Sequence, residues 1–109
     1  MNKRLLCTVL FSAALAFAQG RPQITGVITD SMCATGDHSR MKMGPDDAEC
    51  TNACVDSHGA TYMLYDGKQA YTLSDQKTPE KLAGKKVVVT GTLDATKMTI
   101  HVDSITVAR

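Results

Sequence analysis

Cys33, His38, Cys50 and Cys54 follow one another as C-x4-H-x11-C-x3-C, with Met32, Met41, Met43 and His58 nearby. Three thiolates and one imidazole form a Cys3His tetrahedral donor set, the composition of a structural zinc site and one that also suits soft copper(I). Cys50 and Cys54 are spaced i, i+4, so a helix would project both the same way as a two-donor platform. Cys33 and His38 would then supply the other two ligands. The same residues allow a different chemistry: a disulfide from Cys33 to one helix cysteine, with the other left as a small buried apolar side chain. A Cys50–Cys54 bridge is disfavoured, because i, i+4 positions on a regular helix lie at the edge of disulfide geometry. The spacing matches no standard zinc-finger pattern, and metal and disulfide both stay open.

Other constellations are weaker. A thiol–disulfide oxidoreductase wants C-x-x-C, which C-x-x-x-C does not supply. His38, Met41 and Met43 (H-x-x-M-x-M) form a second soft-donor pattern for copper(I), although methionines in a loop need no such explanation. His58 reads as the basic residue of a helix C-terminus, where a cation meets the negative dipole end. His101 alternates with apolar residues of a strand and is expected to face water. Tyr62, Tyr65 and Tyr71 read as core and rim of a small barrel. No nucleophile–base–orienter set and no phosphate-cradling glycine loop is recognisable, so neither catalytic nor organic cofactor-binding residues are assigned.

The elements that must position these residues read as mainly β. Gln23 to Met32 carries β-branched residues on both faces, and Gly26 interrupts it where a strand can bulge or bend. Gly44-Pro45-Asp46-Asp47 reads as a helix start, with Pro at the first position and acids in the first turn, and Gly59 as its stop. On an ideal helix Asp47, Thr51, Cys54 and His58 share one face with Cys50 at its edge, while Glu49, Asn52 and Asp56 face solvent. Thr61 to Tyr65 and Lys68 to Leu73 flank Asp66-Gly67, a tight-hairpin signal that sets Tyr62 opposite Tyr71. Thr78-Pro79 to Gly84 predicts a short capped helical turn. Val87 to Leu93 and Met98 to Val107 complete the strands, the last with a phase slip near Asp103-Ser104 that needs a bulge. Five strands, one helix inserted after the first and a short one before the fourth predict a small OB-like Greek-key barrel.

Met1 to Arg4 is basic, Leu5 to Phe17 is apolar, and Ala16-Phe17-Ala18 supplies the small residues of a cleavage site. Residues 1–18 therefore predict a cleaved signal peptide, and residues 19–109 a single domain exported to the periplasm or beyond. The apolar run is shorter than the ~20 residues a bilayer-spanning helix needs. Removing 18 of the 109 residues leaves 91, with ten basic residues against eleven acidic ones and three of the four cysteines. An odd number of cysteines in an oxidising compartment cannot all pair within one chain. A charge near −1 and an aromatic content of 5%, with no Trp, leave no basic stacking surface for nucleic acid.

Asp30-Ser31-Met32-Cys33, His38, Cys50-Thr51-x-x-Cys54-Val55, Gly59-x-x-Tyr62-x-Leu64, Tyr71-x-Leu73 and Leu82-Ala83-Gly84-Lys85-x-Val87 together carry a resemblance. Over essentially the whole mature chain they are similar to a family of small exported bacterial proteins of unknown function. Ala34 to Asp37 put four residues between the first Cys and the His, where that pattern has three. The resemblance implies a signal peptide followed by one OB-like domain with a cluster at Cys33, His38, Cys50 and Cys54. The reading is a non-enzymatic exported module that holds zinc or copper at those four residues. A disulfide-stapled adaptor binding a protein or small ligand is the alternative, and a thiol redox protein the third.

Overall fold

The computed structural model of the protein describes residues 21–109; the predicted leader, Met1 to Ala18, and its boundary at Gln19 lie outside them. In chain order the elements are β1 (Gln23–Asp30), α1 (Asp47–His58), β2 (Tyr62–Tyr65), β3 (Ala70–Leu73), a short 3-10 helix (Thr78–Leu82), β4 (Lys86–Asp94) and β5 (Thr99–Val107). The strands close into a barrel in the order β1-β2-β3-β5-β4. Every pairing is antiparallel except β3 with β5. The expected architecture is therefore present: mainly β, five strands in a closed barrel, a helix after the first strand and a short one before the fourth.

Closure depends on β1 serving two neighbours. Its first half, Gln23 to Val27, pairs with β4, and Val27 to Asp30 pairs with β2. Gly26 sits at the changeover, where a Cβ would collide with the Tyr65 carbonyl, so the missing side chain lets the two backbones approach. The second irregularity is the bulge that the phase of β5 predicted. Thr90 pairs with Ser104 but Gly91 pairs with Val102, which leaves Asp103 as the extra residue. That slip lets both Ile100 and Ile105 turn towards the core although their parity differs.

Period-2 alternation supplies the core. Ile28, Leu64, Leu73, Val87, Val89 and Ile100 are buried, with Tyr62 and Tyr71 beside them. Fully burying an aliphatic side chain of this size is worth ~1.5–3 kcal/mol. Residues of the opposite parity, such as Thr72 and Val88, are only half-buried.

Four local expectations are corrected. The Asp66-Gly67 hairpin is not a two-residue loop: Tyr65 pairs with Ala70 and Leu64 with Tyr71, so four residues form the loop. Asp66 accounts for the difference. Its Oδ1 accepts the backbone N–H groups of Lys68 (2.8 Å) and Gln69 (2.7 Å), and its own N–H donates to the Gln69 carbonyl (3.0 Å). The shift is by two residues, so it preserves parity, and Tyr62, Leu64, Tyr71 and Leu73 share the buried face. At α1 the cap is Asp46 rather than the Gly44-Pro45 pair; its side chain accepts the Glu49 N–H at 2.8 Å. Asn52, expected to face solvent, instead docks α1 on the barrel. It accepts the Tyr62 hydroxyl at 2.6 Å and donates to the Glu80 carbonyl at 3.2 Å. The 3-10 helix is held from outside: Asp75 Oδ1 accepts the N–H groups of Lys77 and Thr78, so the N-cap is Lys77 and the Thr78 side chain does not cap it.

Candidate metal centre

The end of β1 is where chemistry-bearing residues converge. Parity along β1 turns Ile28 and Asp30 into the interior, and both are fully buried. Beyond Asp30 the chain turns sharply. Asp30 Oδ1 accepts the backbone N–H groups of Met32 (2.9 Å) and Cys33 (3.1 Å), and the Thr29 hydroxyl donates to the Cys33 carbonyl (2.7 Å). Such Asx geometry is what a short acidic side chain does at a strand end. It brings the Cys33 thiol back over the carboxylate. Gly36, at φ 78°, then turns the loop inward by donating its N–H to the Cys33 carbonyl. His38 follows on that path and is buried.

One ligand atom from each of Asp30, Cys33 and His38 lies within 4.8 Å of the other two. Two atoms in this group are anomalous. Asp30 Oδ2 and His38 Nδ1 are buried without a hydrogen-bond partner. An unsatisfied buried polar group costs roughly 1–3 kcal/mol, and more when it is charged. Folded proteins rarely leave two such atoms on neighbouring side chains without a use for them. A carboxylate oxygen, an imidazole nitrogen and a thiol are each donors for a borderline divalent cation.

Of the four residues that the sequence brought forward, Cys33 and His38 belong to this group. Cys50 and Cys54 stand next to it on α1, both buried, and neither is in the set within 4.8 Å. Thr51 shares their buried face, whereas Asp47 and His58, placed on the same face by an ideal wheel, are exposed at the two helix ends. The Cys50 sulfur is engaged by the preceding loop: its S–H donates to the Met41 carbonyl (3.1 Å) and it accepts the Met43 N–H (3.3 Å). Cys33, Cys50 and Cys54 are free thiols, so the structure holds no disulfide staple among them. Met32 and Met43 are exposed, while Met41 is half-buried. His101 faces outward, and His58 is the basic residue of the last turn of α1, next to the left-handed cap Gly59.

Electrostatics bind the thiols into one neighbourhood. Burial, then the negative charge of Asp30, and then Cys50 and Asp37, raise the Cys33 thiol above its ordinary value. Burial pushes Cys54 up to about 11, with Asp30, Cys50 and Cys33 adding to it. Both thiols are therefore neutral at physiological pH when no cation is nearby. A bound cation reverses the balance by favouring thiolates, and its arrival must release protons.

Asp30 is the ligand candidate that sequence reasoning missed. Its signal was present, because an acid on the inward parity of an otherwise β-branched strand is costly unless something uses it. Compared with protein families, curated proteins and solved structures, the chain matches none of them.

Proposed function

We propose that this protein is an exported, non-enzymatic module that holds a zinc-type divalent ion at Asp30, Cys33 and His38. The carrying observation is the pair of buried, unpartnered atoms, Asp30 Oδ2 and His38 Nδ1, on two residues that share one group with Cys33. The donor set also favours zinc over copper. Copper(I) prefers thiolate and thioether surroundings, whereas a carboxylate beside a thiolate and an imidazole suits zinc. Export follows from the order of basic, apolar and small residues in Met1 to Ala18 and from the family resemblance. The near-neutral mature charge argues against a nucleic-acid partner.

The test is native mass spectrometry and metal analysis of protein purified from the exported fraction, with thermal melts before and after chelation. One zinc per chain and a melting temperature that falls on chelation are expected. A ligand present at 100 times its Kd stabilises the fold by ~2.7 kcal/mol, which a melt of a domain this size resolves. Metal-free protein whose melting temperature zinc does not change would overturn the reading, and a mass two protons light would replace it with a disulfide.

A further inference from the structure

Asp30, Cys33 and His38 give three donors, whereas a structural zinc site takes four and a catalytic one leaves the fourth position to water. What fills that position decides whether the centre is closed or reactive. We infer that Cys54 supplies the fourth donor and closes the site, and that Cys50 does not ligate but clasps the loop carrying His38. This inference rests on the metal reading proposed above.

The two helix cysteines look equivalent in sequence, but their surroundings differ. The Cys50 sulfur is already occupied by the Met41 carbonyl and the Met43 N–H. These contacts tie the segment after His38 to the first turns of α1, and the Met41 N–H in turn donates to the His38 carbonyl at 3.2 Å. Ligation by Cys50 would remove its proton, take that donor from the Met41 carbonyl and loosen the loop that presents the imidazole. Its better use is as a clasp.

Cys54 has no backbone group of the loop to serve. It is fully buried in the later turns of α1, where its neighbours are Asp30 and Cys33, two members of the donor group, together with Cys50. The backbone there is anchored, because the Gly59 and Ala60 N–H groups both donate to the Cys54 carbonyl. Cys54 lies outside the set within 4.8 Å, so the inference requires its side chain to close on the other three donors when the ion binds. The resulting set of two thiolates, one imidazole and one carboxylate leaves no coordination position for a substrate or an activated water. Such a centre retains its ion or stabilises the fold; it does not hydrolyse.

Cobalt(II) titration and X-ray absorption of the zinc-loaded protein test this. The wild type should show two sulfur donors, and a thiolate-to-cobalt band that stays unchanged in Cys50→Ser. In Cys54→Ser and Cys33→Ser the band should fall to about half, one thiolate having been lost. Imidazole added to the wild type should leave the cobalt spectrum as it is, and added to Cys54→Ala should change it by entering the opened position. A band halved in Cys50→Ser and intact in Cys54→Ser would overturn the assignment. The wild-type sulfur count stands whether or not a variant folds, and a count of one or three overturns the assignment while leaving the metal reading intact. A wild type that takes up neither cobalt nor zinc removes the metal reading itself, and this assignment with it.

Discussion

Asp30 holds Cys33 by its backbone: one carboxylate oxygen accepts the Cys33 N–H at 3.1 Å, while the other is buried with no partner. The first oxygen builds the turn and the second is left over for chemistry. That division of labour within one side chain makes the site testable without breaking the turn.

Asp30→Asn keeps an oxygen for the Met32 and Cys33 N–H groups and removes the buried charge. The metal-free variant should melt at or above the wild type, because a buried carboxylate with one unpartnered oxygen is costly. Its zinc affinity should fall at least about tenfold, equivalent to ~1.4 kcal/mol. A competition titration against a zinc-sensitive dye reads this, and unchanged affinity would remove Asp30 from the site.

The Asp66 turn predicts an acid-sensitive hairpin. Hydrogen bonds from the Gln69 and Lys68 N–H groups hold the Asp66 carboxyl below its ordinary value, and the Tyr71 hydroxyl adds to them. A carboxyl depressed in the folded state contributes stability above its unfolded pKa, and that contribution is lost as pH falls through the folded value. Urea midpoints of the wild type should therefore drop below about pH 4, and those of Asp66→Ala should drop less. Parallel acid limbs would show that the turn is not held by the ionised form.

Tyr62 predicts the opposite limb. Burial raises its phenol, with Glu80, Asp56 and Asp30 adding negative charge nearby. The neutral phenol is thus favoured in the fold. This contribution is complete below the unfolded value near 10 and is lost as pH rises through the folded one. Tyr62→Phe should flatten the alkaline fall in stability and cost ~1 kcal/mol at neutral pH, through loss of the 2.6 Å bond to Asn52. Denaturant melts at pH 7 and pH 10.5 compare the two proteins, and an unaltered alkaline limb would assign that fall to other groups.

Leu73 and Lys68 test the facing of the hairpin. Leu73 is 1% exposed within the core, and Lys68 lies on the exposed loop. Leu73→Ala should cost ~2–5 kcal/mol, and Lys68→Ala should stay within about 0.5 kcal/mol of wild type. Variants that melt together would show the facing to be wrong.

Features set by neighbours in the chain are legible in the sequence alone. The inward parity of Leu64, Leu73, Val87 and Val89, the stop at Gly59 and the extra residue near Asp103 follow from a two-residue period, a left-handed cap and a phase slip. Each is decided within a few residues, so a linear string carries it. The i, i+4 placement of Cys50 and Cys54 on one buried helix face is of the same kind.

Long-range packing decided the rest. Sequence spacing does not say that Asp30 joins Cys33 and His38, because that meeting depends on how the loop from Ser31 to Asp46 folds back over the end of β1. The loop path is set by Asp30, Gly36 and the Cys50 clasp acting together. Likewise, Asn52 reads as a solvated residue until Tyr62 and Glu80, ten and 28 positions away, are seen against it. The hairpin register escaped for a nearer reason: one carboxylate that can accept two N–H groups outweighs the preference of Asp-Gly for a two-residue turn. Residue types and periods limit what each segment can become. Which buried donors share a site is fixed only when the barrel closes and the helix packs against β1.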